Sequence, residues 1–175
     1  MKVGCKVGTQ GLVTKTPEYE VALQVSFILR DILEENGATV IMTRTTNDAY
    51  LTNIERADIL NKAKVDAAIQ VHCNGGATSL YGMSSYYRTT GSWVEESKWL
   101  ADCMLRHMLV HTGATNAGLH VCNTYMSLNY SFTPACLVEM GYLTNAAEEQ
   151  LLVSADYQRK LAYGMYDALL EYFGR

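Results

Sequence analysis

Between residues 18 and 173, stretches with helical apolar spacing alternate with short apolar runs rich in β-branched residues, and this alternation constrains the fold more than any other feature. Residues 18–36 place Val21, Val25, Ile28, Leu29, Ile32 and Leu33 on one helical stripe, with Pro17 as an entry signal and Gly37 as a stop. Residues 38–43, Ala-Thr-Val-Ile-Met-Thr, read as a buried strand, and a polar loop follows at 45–50. Thr52-Asn53-Ile54-Glu55 has the spacing of a capping box, which predicts a helix from Thr52 to about Lys64. Residues 65–71 form the next strand, broken by Gly75-Gly76, and residues 83–87 a further one. Ser92-Trp93-Val94-Glu95 repeats the capping-box spacing. Trp99, Leu100, Cys103, Met104 and His107 then mark one face of a helix that reaches about Val110. A short strand at 119–122, a stronger one at 135–140, and helices at 146–152 and 156–173 complete the order.

Crossover helices bury parallel strands between them, so this order predicts an α/β fold: a single three-layer domain with a twisted, mostly parallel sheet flanked by helices on both faces. The length of 175 residues, 49% hydrophobic and 18% charged, suits one sizeable core, so residues 1–175 are expected to form one domain. The net charge of -4, without a basic stripe, argues against nucleic acid as a partner. No apolar stretch approaches the roughly 20 residues that span a bilayer, and the first residues lack the apolar run of a signal peptide. The chain therefore reads as soluble, without a membrane partner, and it is expected to be a monomer. Cys5, Cys73, Cys103, Cys122 and Cys136 are odd in number and widely spaced, which suits free thiols better than a disulfide framework or a metal knuckle.

Two polar groups stand out within the apolar runs. Val71-His72-Cys73-Asn74 closes one strand, and Glu139 sits inside the run Ala135-Cys136-Leu137-Val138-Glu139-Met140. In open α/β sheets the chemistry collects at the carboxyl ends of the strands, so both could face one crevice as a metal or acid/base site. A strand-end His can equally be hydrogen-bonded or a metal ligand. A carboxylate in an apolar segment is costly unless paired, coordinated or protonated, which favours a role for Glu139 in a site over a buried salt bridge. A Cys73 nucleophile is disfavoured, because neighbours in a strand point to opposite faces and His72 could not activate it. His107 reads as a helix-face residue and His111 as a cation near that helix's end, while Arg44 and Arg56 read as loop braces, with binding of substrate carboxylates as the alternative.

In order, Gly8-Thr9-Gln10-Gly11-Leu12, Glu18, Thr43-Arg44, Arg56 with Asn61, Gln70-Val71-His72-Cys73-Asn74 and Leu137-Val138-Glu139-Met140-Gly141-Tyr142-Leu143-Thr144-Asn145 resemble the zinc-dependent N-acetylmuramoyl-L-alanine amidases over essentially the whole chain. The most specific pieces are the His-x-Asn element that ends a strand and the Val-Glu-x-Gly-aromatic-Leu-x-Asn element.

The resemblance implies a peptidoglycan hydrolase that cleaves the amide between the lactyl group of N-acetylmuramic acid and the L-alanine of the stem peptide. It also implies an extracellular or cell-wall location. Zinc in such enzymes is held by a His in a glycine-rich loop after the first strand, a Glu opening the first helix and a His ending a later strand. By resemblance Glu18 is the second ligand, with Glu20 as the alternative, His72 is the third, and Glu139 is the catalytic glutamate. The resemblance enters this chain after the first strand and its Gly-His-Gly loop, so the first zinc His has no counterpart. Cys5 lies near its place, and His120 is another conceivable stand-in. A non-catalytic peptidoglycan-binding module and an inactive fragment are the alternative readings. The substrate-binding residues are left unassigned.

Overall fold

The computed structural model describes residues 8–174. Ten elements follow one another: α1 (Glu18–Glu35), α2 (Asn53–Ala63), β1 (Ala68–Asn74), β2 (Met83–Tyr87), α3 (Val94–Thr112), β3 (Asn116–Val121), α4 (Met126–Asn129), β4 (Ala135–Tyr142), α5 (Ala146–Leu152) and α6 (Ala155–Tyr172). The described strands form one sheet in the order β1-β4-β2-β3. β1 runs parallel to β4 and β2 parallel to β3, while β2 and β4 pair antiparallel, so the sheet is mixed with parallel pairings in the majority.

The period of two along each strand separates the faces. Val71, Cys73, Cys136, Val138 and Met140 point into a core shared with α1, α3 and α6, where Val25, Leu100, Met104, Met108, Leu161 and Met165 are buried. On the opposite face Ala68, Ala135 and Leu137 pack with Leu128 of α4, flanked by Leu60 of α2. That second cluster covers only the start of the strands. The carboxyl ends of β1 and β4 on this face are left for polar residues.

Local signals decide most of the boundaries. Gly37, with φ +83°, follows α1 in a Schellman arrangement, in which the amides of Gly37 and Ala38 donate to the carbonyls of Glu34 and Leu33. The capping box at Thr52 forms on both sides: the Thr52 hydroxyl accepts from the Glu55 amide, and the Glu55 carboxylate accepts from the Thr52 amide.

Two expectations fail. The second capping box does not form. Trp93, with φ 65°, precedes α3, because the Ser92 carbonyl is held by Arg88 and the Trp93 indole N–H donates to the Phe132 carbonyl. Those tertiary ties move the start of the helix to Val94. Residues 38–43 are not a buried strand either. They pair with no described strand and none of their side chains is buried; the segment lies along α1, with Met42 against Arg30. A β-rich composition supplies strand propensity, but a strand needs a ladder partner, and none of the described residues provides one.

Candidate active site

One row of the ladder carries the polar chemistry. His72 of β1 is the register partner of Glu139 of β4, and Glu139 in turn is paired with Ser84 of β2. All three point to the face away from α1, α3 and α6. Just beyond this row the register slips, because β1 advances two residues from His72 to Asn74 while β4 advances three from Glu139 to Tyr142. The extra residue falls at Gly141, whose φ of +139° few side-chain-bearing residues adopt. The bulge ends the pairing beside Glu139 and opens the strand ends into a cleft. Thr9, Glu18, Asn53, Gln70, His72, Asn74, Tyr125, Ser127 and Glu139 line this cleft.

Glu18 enters from the first turn of α1. Its Oε1 lies 2.5 Å from His72 Nδ1 and accepts from the Cys73 amide at 3.3 Å, while Oε2 accepts from the Thr9 amide at 3.1 Å. The 8–17 loop passes so close that a Cβ on Gly8 would fall 2.3 Å from Oε2. Glu20, the alternative considered from the sequence, is about 200° further around the helix at 3.6 residues per turn, so Glu18 is the one that meets His72. Burial works against a charged Glu18, but the hydrogen bond and charge of His72, with the Thr9 and Cys73 amides, outweigh it and hold its pKa below the ordinary value. Desolvation likewise opposes a charged His72, and Glu18 outweighs it, so the imidazole titrates above its usual range.

Glu139 behaves oppositely. Its side chain is 8% exposed, and its Oε2 is buried with no hydrogen-bond partner among the described residues. Burial raises its pKa to about 7, His72 opposing the shift and Glu18 adding to it. A carboxyl near neutral can both take and give a proton at ordinary pH, the property required of a general base that later acts as an acid. Tyr125 stands on the same side, its phenol pushed up to about 12 by burial and by the charge of Glu139.

The remaining sequence candidates fall elsewhere. Cys73 points into the core, and burial pushes its thiol well above the normal range, so it is no nucleophile. His120 is on β3, three strands away from β1 and therefore about 14 Å across the sheet. Its Nε2 meets the Ala117 carbonyl, so it does not join Glu18 and His72. Cys5 lies outside the described residues. His107 and His111 tie α3 to Glu171 and Asp167 of α6. Arg44 holds the Tyr19 carbonyl and Asn47, and Arg56 reaches Thr43, so both brace loops. Among the described residues, no group of three or more His, Cys, Asp and Glu converges.

Glu149 carried no signal beyond one of spacing, since its position three residues before the buried Leu152 puts it on the inner side of α5. It is fully buried and accepts from the amides of Val13 and Thr14 and from the Thr14 hydroxyl, so it holds the loop that leads into Glu18. Glu148 beside it accepts from the amides of Gly82 and Tyr142 and fixes the end of the β4 bulge.

Residues 4–171 match the family described as Amidase_3, N-acetylmuramoyl-L-alanine amidase. The chain belongs to this family. The germination-specific N-acetylmuramoyl-L-alanine amidase of Bacillus subtilis is 28% identical, over 91% of this chain and 72% of its own length. The catalytic domain of CwlV, an N-acetylmuramoyl-L-alanine amidase from Bacillus (Paenibacillus) polymyxa var. colistinus, superposes with a TM-score of 0.88 at 29% identity, covering 97% of this chain and 92% of the other. An N-acetylmuramoyl-L-alanine amidase from Clostridium difficile 630 superposes with a TM-score of 0.90 at 28% identity, covering 98% and 91%. This α/β domain is thus an amidase of the cell-wall hydrolase type. No helix among its described residues is long and apolar enough to cross a membrane.

Proposed function

We propose that the chain hydrolyses the amide between the N-acetylmuramic acid lactyl group and the L-alanine of the peptidoglycan stem, at the cell wall, with Glu139 as general base and acid. The observation that carries this reading is the ladder row in which a buried, unpartnered carboxyl of Glu139 sits beside a His72 already engaged by Glu18.

The donors among the described residues are two of the three protein ligands that a catalytic zinc takes. Glu18 and His72 offer a carboxylate and an imidazole, both common zinc donors, and Glu139 lines the same cleft. These two residues would hold the ion, which when bound supplies Lewis-acid polarisation of a carbonyl and an acidified water.

The protein's own groups then have distinct tasks. The Thr9 and Cys73 amides fix both oxygens of Glu18, and Glu18 in turn fixes the ring of His72 through Nδ1. Glu139 is spared such hydrogen bonds, so its carboxylate stays basic enough to take a proton from the attacking water. Its protonated form then delivers that proton to the leaving amine, a transfer worth about 10²- to 10⁴-fold in rate. Tyr125 and Leu137 form walls of the cleft and limit water around the Glu139 carboxyl.

The test is release of new amino termini from purified peptidoglycan. Wild-type protein should release L-alanine amino termini, and Glu139→Gln should retain the zinc content of wild type while losing the release. Undiminished release by Glu139→Gln would remove Glu139 from the chemistry, and unchanged zinc content in His72→Ala would remove His72 as a ligand.

A further inference from the structure

Two residues before His72, on the same face of β1, Gln70 occupies the floor of the cleft. Its register partner is Leu137, two residues before Glu139, and the row continues through Tyr86 to His120. A step of two residues along a strand is about 6.6 Å and neighbouring strands lie about 4.8 Å apart, so Gln70 stands roughly 8 Å diagonally from Glu139. That distance is about two backbone units of an extended peptide.

The side chain of Gln70 is oriented from outside the strand. α4 is pinned by Leu128, which is fully buried, and the adjacent Ser127 donates its hydroxyl to Gln70 Oε1 at 2.5 Å. Both residues line the cleft. A carboxamide has one acceptor end and one donor end. With the acceptor end engaged by Ser127, the Nε2 end, with two N–H donors, has no hydrogen-bond partner among the described residues, and Gln70 lines the same cleft as Glu139.

We propose that Gln70, oriented by Ser127, is a substrate-binding residue that donates from Nε2 to a neutral amide carbonyl of the muropeptide flanking the scissile bond. The inference rests on the amidase reading for the identity of the ligand. A neutral donor suits an amide carbonyl, and a site built to hydrogen-bond such a group discriminates against variants in which the donor is lost, because a polar group is then left unpaired.

Gln70→Glu is the sharpest variant, since it keeps an oxygen for Ser127 and replaces the Nε2 donors with an acceptor of nearly the same shape. Gln70→Met removes both ends without adding charge beside Glu139. Binding of a soluble disaccharide-peptide muropeptide is measured by calorimetry in the Glu139→Gln background, and KM and kcat are measured with Glu139 intact. Each Gln70 variant should weaken Kd and raise KM by at least about tenfold, the cost of one well-made hydrogen bond, with kcat changing less and thermal unfolding preserved. Ser127→Ala should raise KM about threefold alone and add nothing in the Gln70→Met background, because it acts only through Gln70.

Kd and KM within twofold of the parent in both Gln70 variants would overturn the inference while leaving the amidase reading intact. Additive effects of Ser127→Ala and Gln70→Met would also overturn it. A weakened Kd without turnover by the parent enzyme would sink the amidase reading and keep the assignment of Gln70. A muropeptide that neither binds nor reacts would overturn both.

Discussion

Glu139 and Glu149 are both buried carboxyls of one small domain, and they are built in opposite ways. Glu149 is saturated: two backbone amides and a hydroxyl converge on it, and although burial alone would raise its pKa, those hydrogen bonds bring it below the ordinary value. Glu139 has an orphaned oxygen, and burial leaves its carboxyl near 7. One group is arranged to stay charged well below neutral pH, and the other so that its charge changes near neutral pH. A structural carboxylate is surrounded by donors that favour its ionised form. One that must exchange a proton is deprived of them, at a cost the rest of the fold carries. Burial alone would not have told the two apart.

The largest effect that could break this contrast is catalytic. Glu139→Gln should lower turnover of peptidoglycan by about 10²- to 10⁴-fold while the melting temperature stays level or rises, because a neutral amide relieves a buried, poorly solvated carboxyl. A loss of stability matching the loss of turnover would show that Glu139 is structural after all. Glu149→Ala should do the reverse. It leaves the Val13 and Thr14 amides without their acceptor and should destabilise the domain by about 3 kcal/mol in urea unfolding, the range for hydrogen bonds to a charged group. Because the same loop runs into Glu18, any zinc held there as proposed should be bound more weakly.

The pH dependence of stability in chelator-dialysed protein should separate the two by sign. Glu139, held at about 7 against an ordinary 4.5, keeps a proton in the folded chain that the unfolded chain has released, so its contribution makes stability rise as pH falls from 7 to 4.5. Glu149 titrates below 4.5 when folded, so the stability it supplies is complete above 4.5 and is lost as pH falls through its lowered pKa. Urea midpoints measured against pH should lose the first limb in Glu139→Gln and the second in Glu149→Gln. An unchanged profile in either variant would break the comparison at that residue. The smallest effect belongs to the intermediate case. Glu148 accepts from two amides, and Glu148→Gln turns one oxygen into a donor facing an N–H, which should cost about 1 kcal/mol in the same assay.

Part of this site was legible from residues alone. Glu139 betrayed itself as a charge inside an apolar run, and His72 as a polar residue closing one. Glu18 was found through resemblance, since an acidic residue in the first turn of a helix is otherwise unremarked there. Glu149 was missed because a glutamate in a short surface-type helix reads as solvated until the loop that covers it is seen. Gln70 was missed because nothing in β1 announces Ser127, which sits 57 residues away on a four-residue helix that no periodicity reveals. The second capping box misled because Arg88 and the Phe132 carbonyl, the latter 39 residues from Trp93, decide where α3 begins.

The sequence by itself determined the long helices, the stop at Gly37, the cap at Thr52 and the apolar runs of β1 and β4. Each of these depends on contacts within a few residues, or on periodicities that a single element must satisfy to bury one face. Tertiary structure decided which strands pair, that β4 lies antiparallel to β2, that residues 38–43 make no ladder with the described strands, and which buried glutamate is saturated and which is left wanting. Those outcomes depend on partners distant in the chain, and the energy of a buried charge is set by the donors brought to it rather than by its neighbours in sequence.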